Sequence, residues 1–324
     1  MPPKRRSFFR RFLWFLPLFG LLLFRFRAGD GRFGFRCDRW GERGGEQAGE
    51  GRWWQVHFTD PEDERAGEAI LSLLLDRIEG AQETIDIAAF EFDLPRVAEA
   101  LIAARRRGVT IRWVTDDVHG ILADRQAPDP LFPRLQEAGV AIRDDGRAGL
   151  MHDKFLVFDG KAVWTGSLNL TRRGLFRNDN NVVLLDAKEV AEIFTREFTE
   201  LWEGMSGPAS PSTLALQRVV VEGSEVFVLF GPEDDVAAHL AAEIETAAGT
   251  IRFMAFSFTH DGIGDAVLDR AKGGVAVRGI FEKRGAYSRY SELRRFHCAG
   301  LPVRIDTNPG TFHHKVFLLD EGTV

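Results

Sequence analysis

The chain states one pattern twice, and that repetition limits its possible folds more than any other feature. Thr84-Ile85-Asp86-Ile87-Ala88-Ala89-Phe90-Glu91-Phe92-Asp93 returns as Thr250-Ile251-Arg252-Phe253-Met254-Ala255-Phe256-Ser257-Phe258-Thr259. The offset of 166 (84 to 250) holds without a gap through Gly108-Val109-Thr110-Ile111-Arg112 against Gly274-Val275-Ala276-Val277-Arg278. It becomes 161 at Gly139 against Gly300, and remains 161 where Met151-His152-Asp153-Lys154 meets Phe312-His313-His314-Lys315. The first copy therefore carries five extra residues between about 117 and 139.

Within each copy strands alternate with helices. Val56–Phe58 reads as a strand, and Ile70, Leu74 and Ile78 lay an apolar stripe along a helix over 64–80. Thr84–Phe92 is an apolar, β-branched run that reads as a buried strand. Asp93 as N-cap and Pro95 in the first turn open the next helix, and Gly108 closes it. A strand over 109–115 and a helix around 131–138 follow. The last helix of the copy carries Val190, Phe194, Phe198 and Leu201. Such alternation implies an α/β fold with parallel strands, covered by helices on both faces. The expected organisation is a leader over 1–27, a Gly/Arg/Glu-rich tether over 28–52, a first domain over 53–205, a linker over 206–213 and a second domain over 214–324.

Charge separates the leader from the body. Residues 1–40 hold ten Lys/Arg and two Asp, which leaves 32 basic and 46 acidic residues beyond them, a net of −14 beneath the overall −6. A body that acidic repels polyanions at long range and argues against a protein that coats nucleic acid. Lys4–Arg11 followed by the apolar run Phe12–Phe24 has the form of an export signal, too short for a membrane span. Arg5-Arg6-Ser7-Phe8-Phe9 is similar to a twin-arginine signal. Export, or retention as a membrane anchor, is the expectation; a misplaced start codon is the alternative. Cys37 and Cys298 are too few for a disulfide framework or a structural zinc site.

The chemistry sits in His152-x-Lys154-x4-Asp159 with Gly166-Ser167-x-Asn169, and in His313-x-Lys315-x4-Asp320. Phe155–Phe158 reads as a strand, Asp159-Gly160 as a two-residue hairpin turn and Lys161–Thr165 as the returning strand. Side chains two apart on a strand share a face. One hairpin region thus presents an imidazole, an ammonium, a hydroxyl and an amide, a set suited to a phosphodiester. A neutral imidazole attacks phosphorus and a protonated one supplies the leaving group's proton. Lysine neutralises phosphate oxygens, and Ser and Asn add hydrogen bonds that strengthen in the transition state. Two copies face to face supply the two imidazoles of a double displacement.

This pattern resembles the phospholipase D superfamily, whose signature is a duplicated His-x-Lys-x4-Asp motif, over about residues 53–324. The resemblance implies two phospholipase D-like domains, each a mixed sheet flanked by helices, related by a pseudo-twofold axis with one site between them. It implies a phosphohistidine intermediate and no metal or other cofactor. His152 would be the nucleophile and His313 the general acid, or the reverse. Lys154, Lys315, Ser167 and Asn169 would hold the phosphate, and Asn180 or Asn181 would orient a histidine. Asp159 and Asp320 belong to the catalytic motif by family. Their odd spacing from His and Lys aims them at the opposite strand face, which favours a structural role. The second motif has no Gly-Ser-x-Asn half before Val324, so a longer protein is expected.

His313-His314 and His152-Asp153 also admit a metal reading, although no further ligand recurs in both copies. His57, His119, His239, His260 and His297 occur in one copy each and read as core or surface residues; Trp53-Trp54 reads as core. Asp116-Asp117 and Glu282-Lys283 end matching strands and read by default as solvated loop residues. Substrate choice is expected from Val118–Pro130 and Arg284–Ser291. Three functions follow: a phospholipid-cleaving or headgroup-exchanging enzyme at a membrane surface, an exported nuclease of the same superfamily, or an inactive binding module. In each enzyme reading one chain completes the site.

Overall fold

The computed structural model describes residues 21–25, 48–207, 210–320 and 322–324. In chain order the strands are β1 (Leu21–Arg25), β2 (Ala48–Glu50), β3 (Trp54–Phe58), β4 (Thr84–Ala89), β5 (Thr110–Thr115), β6 (Ala141–Asp144), β7 (Lys154–Phe158), β8 (Ala162–Gly166) and β9 (Asn181–Leu185). They continue with β10 (Arg218–Val221), β11 (Ser224–Leu229), β12 (Thr250–Ala255), β13 (Ala276–Phe281), β14 (Val303–Ile305) and β15 (Lys315–Leu319). The first half forms an eight-stranded sheet ordered β2-β3-β9-β8-β7-β4-β5-β6. The second forms a four-stranded sheet ordered β14-β13-β12-β15 and a three-stranded sheet ordered β1-β11-β10.

The repeat survives at the level of single residue pairs. β4 runs parallel to β5 with Thr84 opposite Thr110, and β12 runs parallel to β13 with Thr250 opposite Ala276. β4 runs antiparallel to β7 with Ala89 opposite Lys154, and β12 to β15 with Ala255 opposite Lys315. Both catalytic-motif lysines thus begin a strand next to the most buried strand of their sheet. Two equivalent α/β domains, each built on a mixed sheet, follow from this register.

Local chemistry explains most elements. Helix Glu64–Gly80 buries Ile70, Leu74 and Ile78 and is capped by Asp63. The Asp159-Gly160 turn has positive φ of 51° and 60°, and Phe158 faces Ala162, so the connection holds three residues, Lys161 included, in place of the expected two. Two more expectations shift. β4 ends at Ala89, so Phe90–Phe92 lies beyond the strand, with Phe90 against His152 and Phe92 packed in the core on Trp113 and Phe132. The helix Pro95–Arg106 has Leu94 at its N-cap, while the Asp93 carboxylate accepts the Arg172 N–H instead.

Helix Lys188–Glu203 packs between the halves. Its Phe194 ring lies 5.4 Å from Phe230 at the end of β11, and Phe155 of β7 lies 6.3 Å from the same ring. Trp53 is buried in this cluster, as core. A second seam is made by backbone: Asp179 N–H donates to Thr311 O at 2.9 Å and His313 N–H to Asp179 O at 2.8 Å. Gly310 is required there, because a Cβ would fall 1.6 Å from Arg177 O.

Leu21–Arg25 forms β1, antiparallel to β11. By chain order β10 corresponds to β2, which leaves β1 beside β11 where β9 stands beside β3. The remaining leader residues, the tether to 47 and Cys37 lie outside the described residues. Among the described residues no helix is long and apolar enough to cross a membrane.

Candidate active site

The cleft is built from two equivalent shells. Each histidine stands just before its strand, with the lysine two residues on folded back: Lys154 Nζ donates to His152 O at 2.7 Å, and Lys315 Nζ to His313 O at 2.8 Å. One phenylalanine supports each pair. The Phe90 ring is 4.8 Å from the His152 ring with Lys154 Nζ 5.2 Å above its centre. The Phe256 ring is 4.8 Å from His313 with Lys315 Nζ at 5.0 Å. These rings belong to the repeated Ala-Phe-x-Phe, so the signal for them lay in the repeat itself.

A buried acid at the end of each central strand sets the residue preceding the histidine. Asp116 accepts the N–H groups of Val118 and His119 on one oxygen and of Met151 on the other. Glu282 accepts from Arg284 N–H and from Phe312 N–H. Both acids are 1% exposed, which corrects their reading as solvated loop residues. The identical chain position, acid just after strand, was the available clue.

The halves meet at His313. Its Nδ1 lies 2.9 Å from Ser167 O and 3.0 Å from Asn180 Oδ1. A carbonyl only accepts, so this nitrogen carries the proton and Nε2 keeps its lone pair. Asn180 is itself fixed, its Nδ2 donating to Gly174 O at 3.0 Å and its Oδ1 accepting from Ser167 Oγ at 2.9 Å. Gly166 brings this turn close: at φ 133°, a Cβ would fall 2.3 Å from Asn181 O. The expected orienting amide is therefore Asn180, acting across the seam. Asn181 instead holds His314 at 3.1 Å. His314 is buried between Phe58 and Phe312 and is held neutral, pushed down to about 4 by burial and then by Lys315. That answers its metal reading with a packing role.

Two groups assigned by resemblance are placed elsewhere. Asp159 accepts the N–H groups of Gln82, Glu83 and Thr84, and Asp320 those of Ala248, Gly249 and Thr250. Both stand at the far end of their strands from the histidines and anchor the loop entering β4 or β12. The odd spacing had aimed them there, and their catalytic assignment is corrected. Ser167 is also committed: Oγ donates to Asn180 and accepts Asn181 N–H, so it positions residues and does not offer the phosphate a free hydroxyl. Asn169 donates through Nδ2 to Glu91 Oε2 at 2.7 Å, while its buried Oδ1 has no partner. Glu91, an acid inside an apolar run, was missed by sequence reasoning; it also offsets part of the burial of Lys154.

The cleft is electrostatically loaded. Burial lowers His152 well below an ordinary imidazole, and Lys154, Lys315, His313 and His119 lower it further. His313 is pushed down to about 2 by burial and by Lys315 and Lys154. Lys154 is pushed down to about 7 by burial, and Lys315 falls well below its usual value through burial and Lys154. His152, His313 and Lys315 are each depressed by a basic group of the other half, so basic groups of both halves lie close together, an arrangement suited to an anion. His119 joins them through Phe90, whose ring lies 4.7 Å from its own. Beside them Asp116, Asp117 and Asp145 bring carboxylate oxygens within 4.8 Å of one another. Burial, reinforced by the other two, pushes Asp145 up to about 6.

Known proteins resemble this chain. The chain is 37% identical over 136 residues to a mitochondrial cardiolipin hydrolase of Xenopus laevis, covering 42% of this chain and 62% of that protein. It is 32% identical over 128 residues to a phospholipase D of Rickettsia prowazekii, covering 39% of this chain and 58% of that protein. The chain thus spans about three-fifths of the length of these relatives. Phosphatidylserine synthase of Haemophilus influenzae superposes with a TM-score of 0.58 at 13% identity, over 82% of this chain and 76% of that one, a likeness of fold. The family described as "Cardiolipin synthase, PLD-like domain" matches residues 74–202 and 240–324, in both copies of the repeat, and the chain belongs to that family within the phospholipase D superfamily.

Proposed function

We propose that this chain is a phosphodiesterase of phospholipase D type that cleaves phospholipids, or exchanges their headgroup, through a phosphohistidine. The observation that carries the reading is geometric: the two histidine–lysine motifs, one from each half, meet at the Ser167–Asn180–His313 seam, each lysine folded back on its histidine and each pair backed by a phenylalanine, so that basic groups of the two halves repel one another. An entering phosphate relieves that repulsion and restores the lysines to their charged form. The neutral His152 attacks phosphorus, forming an N–P bond as the P–O bond to the leaving alcohol breaks. His313, which takes up a proton from solvent at Nε2 as the phosphate anion enters beside it, delivers that proton to the leaving oxygen. Water, or a second alcohol, then gives a proton to His313 and attacks phosphorus, and the N–P bond breaks. The Nδ1–H of His313, anchored on Ser167 O and beside Asn180, suits a group whose Nε2 must release and recover a proton in one orientation. An exported or membrane-anchored protein would meet its lipid at a surface.

The test is hydrolysis of bis-p-nitrophenyl phosphate, phosphatidylcholine, cardiolipin and single-stranded DNA in EDTA. Turnover of the soluble diester and of a lipid is expected, with His152→Ala lowering both by about 10³-fold or more. Activity lost in EDTA and restored by zinc would overturn the metal-free route. Cleavage of DNA alone would move the substrate to nucleic acid, and an inert protein would leave a binding module.

A further inference from the structure

We infer that the two segments following the buried acids form a membrane-docking rim around the cleft, one wall apolar and the other basic and aromatic. This rests on the phospholipid reading above and names how the substrate is approached. Among the described residues six large apolar or aromatic side chains are exposed, and four of them lie on these segments. Val118 (50% exposed) and Leu122 (45%) stand on the helical turn Asp117–Leu122 after β5, and Tyr287 (84%) and Tyr290 (42%) follow β13.

Both walls border the chemistry. Asp116 starts the first segment and also fixes the residue before His152. Glu282 starts the second and fixes the residue before His313. His119, between Val118 and Leu122, packs on Phe90; Gly285, its equivalent under the 166-residue offset, lies against Phe256 O. The two segments are therefore opposite lips of one opening, not two unrelated loops.

The composition identifies the partner. Residues 283–294 carry Lys283, Arg284, Arg289 and Arg294 against one acid, Glu292, which is 1% exposed and paired with Arg295. That basic stretch stands on a body with a net charge of −14 beyond residue 40, taking the 32 basic from the 46 acidic residues. Arg289 stacks on the Tyr290 ring, 4.5 Å from its centre. Tyrosine beside arginine suits the headgroup layer of an anionic bilayer, where an amphipathic ring and a cation are both satisfied. The facing wall offers Val118 and Leu122 with Asp117 and presents no Lys or Arg before Arg125. A nucleic-acid strand would need cations along both walls. A lipid needs charge at its phosphate and apolar surface beside its glycerol and acyl ends.

The experiment compares the full-length protein with a Val118→Ser/Leu122→Ser/Tyr287→Ser/Tyr290→Ser variant and an Arg284→Glu/Arg289→Glu variant. Each is assayed on bis-p-nitrophenyl phosphate and on phosphatidylcholine vesicles with and without cardiolipin. The expected result is unchanged hydrolysis of the soluble diester with vesicle hydrolysis reduced by about tenfold or more in the first variant. The second variant loses the rate increment that cardiolipin supplies. Equal vesicle rates in all three proteins overturn the rim, as does weakened retention of single-stranded DNA with vesicle hydrolysis intact. A parent inert on every diester removes the catalytic reading alone. Tyr287→Trp then decides the docking: extra emission quenched by brominated lipid supports it, and unquenched emission overturns it.

Discussion

Glu197 shows how far one residue can depart from its ordinary state in this fold. It faces inward from helix Lys188–Glu203, 8% exposed, and burial pushes it up to about 10, helped by Asp153, Glu233, Glu200 and Asp234. Folded, it keeps its proton at neutral pH; unfolded, it ionises above about 4.5. Its contribution is therefore intact below that pH and is lost as pH rises toward 10. Glu197→Gln should raise stability at pH 7 by as much as about 3 kcal/mol, with the gain gone near pH 4.5. Thermal melts of both proteins across that range check the sign. The residue stands on the buried face of an amphipathic helix, where sequence periodicity marks the position but not the carboxylate's neighbours. Glu200 stands on the same helix, but Asp153, just before β7, and Glu233 and Asp234, in the loop after β11, are distant in the chain.

At the scale of elements, the Asp of each motif joins a strand end to the loop before its neighbour. Asp159→Asn should reduce stability by about 1 kcal/mol, since a neutral amide oxygen accepts the three N–H groups less strongly, and should leave kcat on a soluble diester within about twofold. A large fall in kcat without loss of stability would return Asp159 to the chemistry. The strands, the hairpin and the spacing of His and Lys were legible because each rests on local pattern. The offset of 166 also carried the sheet register, since Thr84 and Thr250 meet equivalent partners. What stayed hidden required two distant segments at once. Asn180 was placed as an orienting residue, but its partner is His313 in the other copy, through a backbone seam that no periodicity encodes. Asp116 and Glu282 were noticed at strand ends, yet their burial depends on the N–H groups of Met151 and Phe312 arriving from later strands.

For the whole molecule, the seam between halves is lined with neutral imidazoles. His313 and His314 are depressed to about 2 and about 4, below the ordinary 6.5, so between those values only the unfolded chain takes up the proton. The stability they allow is full above about pH 6.5 and declines as the pH falls toward 4. Each histidine is worth about 1.4 kcal/mol per pH unit in that interval, so the two remove about 3 kcal/mol near pH 5.5. Chemical denaturation at pH 7 and pH 5.5 measures the difference, and His314→Asn should flatten it. Because Glu197 works in the opposite direction over the same interval, the comparison with His314→Asn is the readout: a variant whose pH dependence equals the parent's would mean that this ring is protonated when folded. The apolar part of the seam, Phe155, Phe194 and Phe230, has no such sensitivity and should persist through the same interval.

One feature of the cleft fixes a stoichiometry. His152 is depressed by His313 and Lys315 of the other half, and the amide that aims His313 belongs to the first half. If both motifs serve one reaction, as proposed, the pattern written twice in the gene takes a single phosphoryl group, so a titration would saturate at one equivalent per polypeptide and silencing either copy would remove all of it.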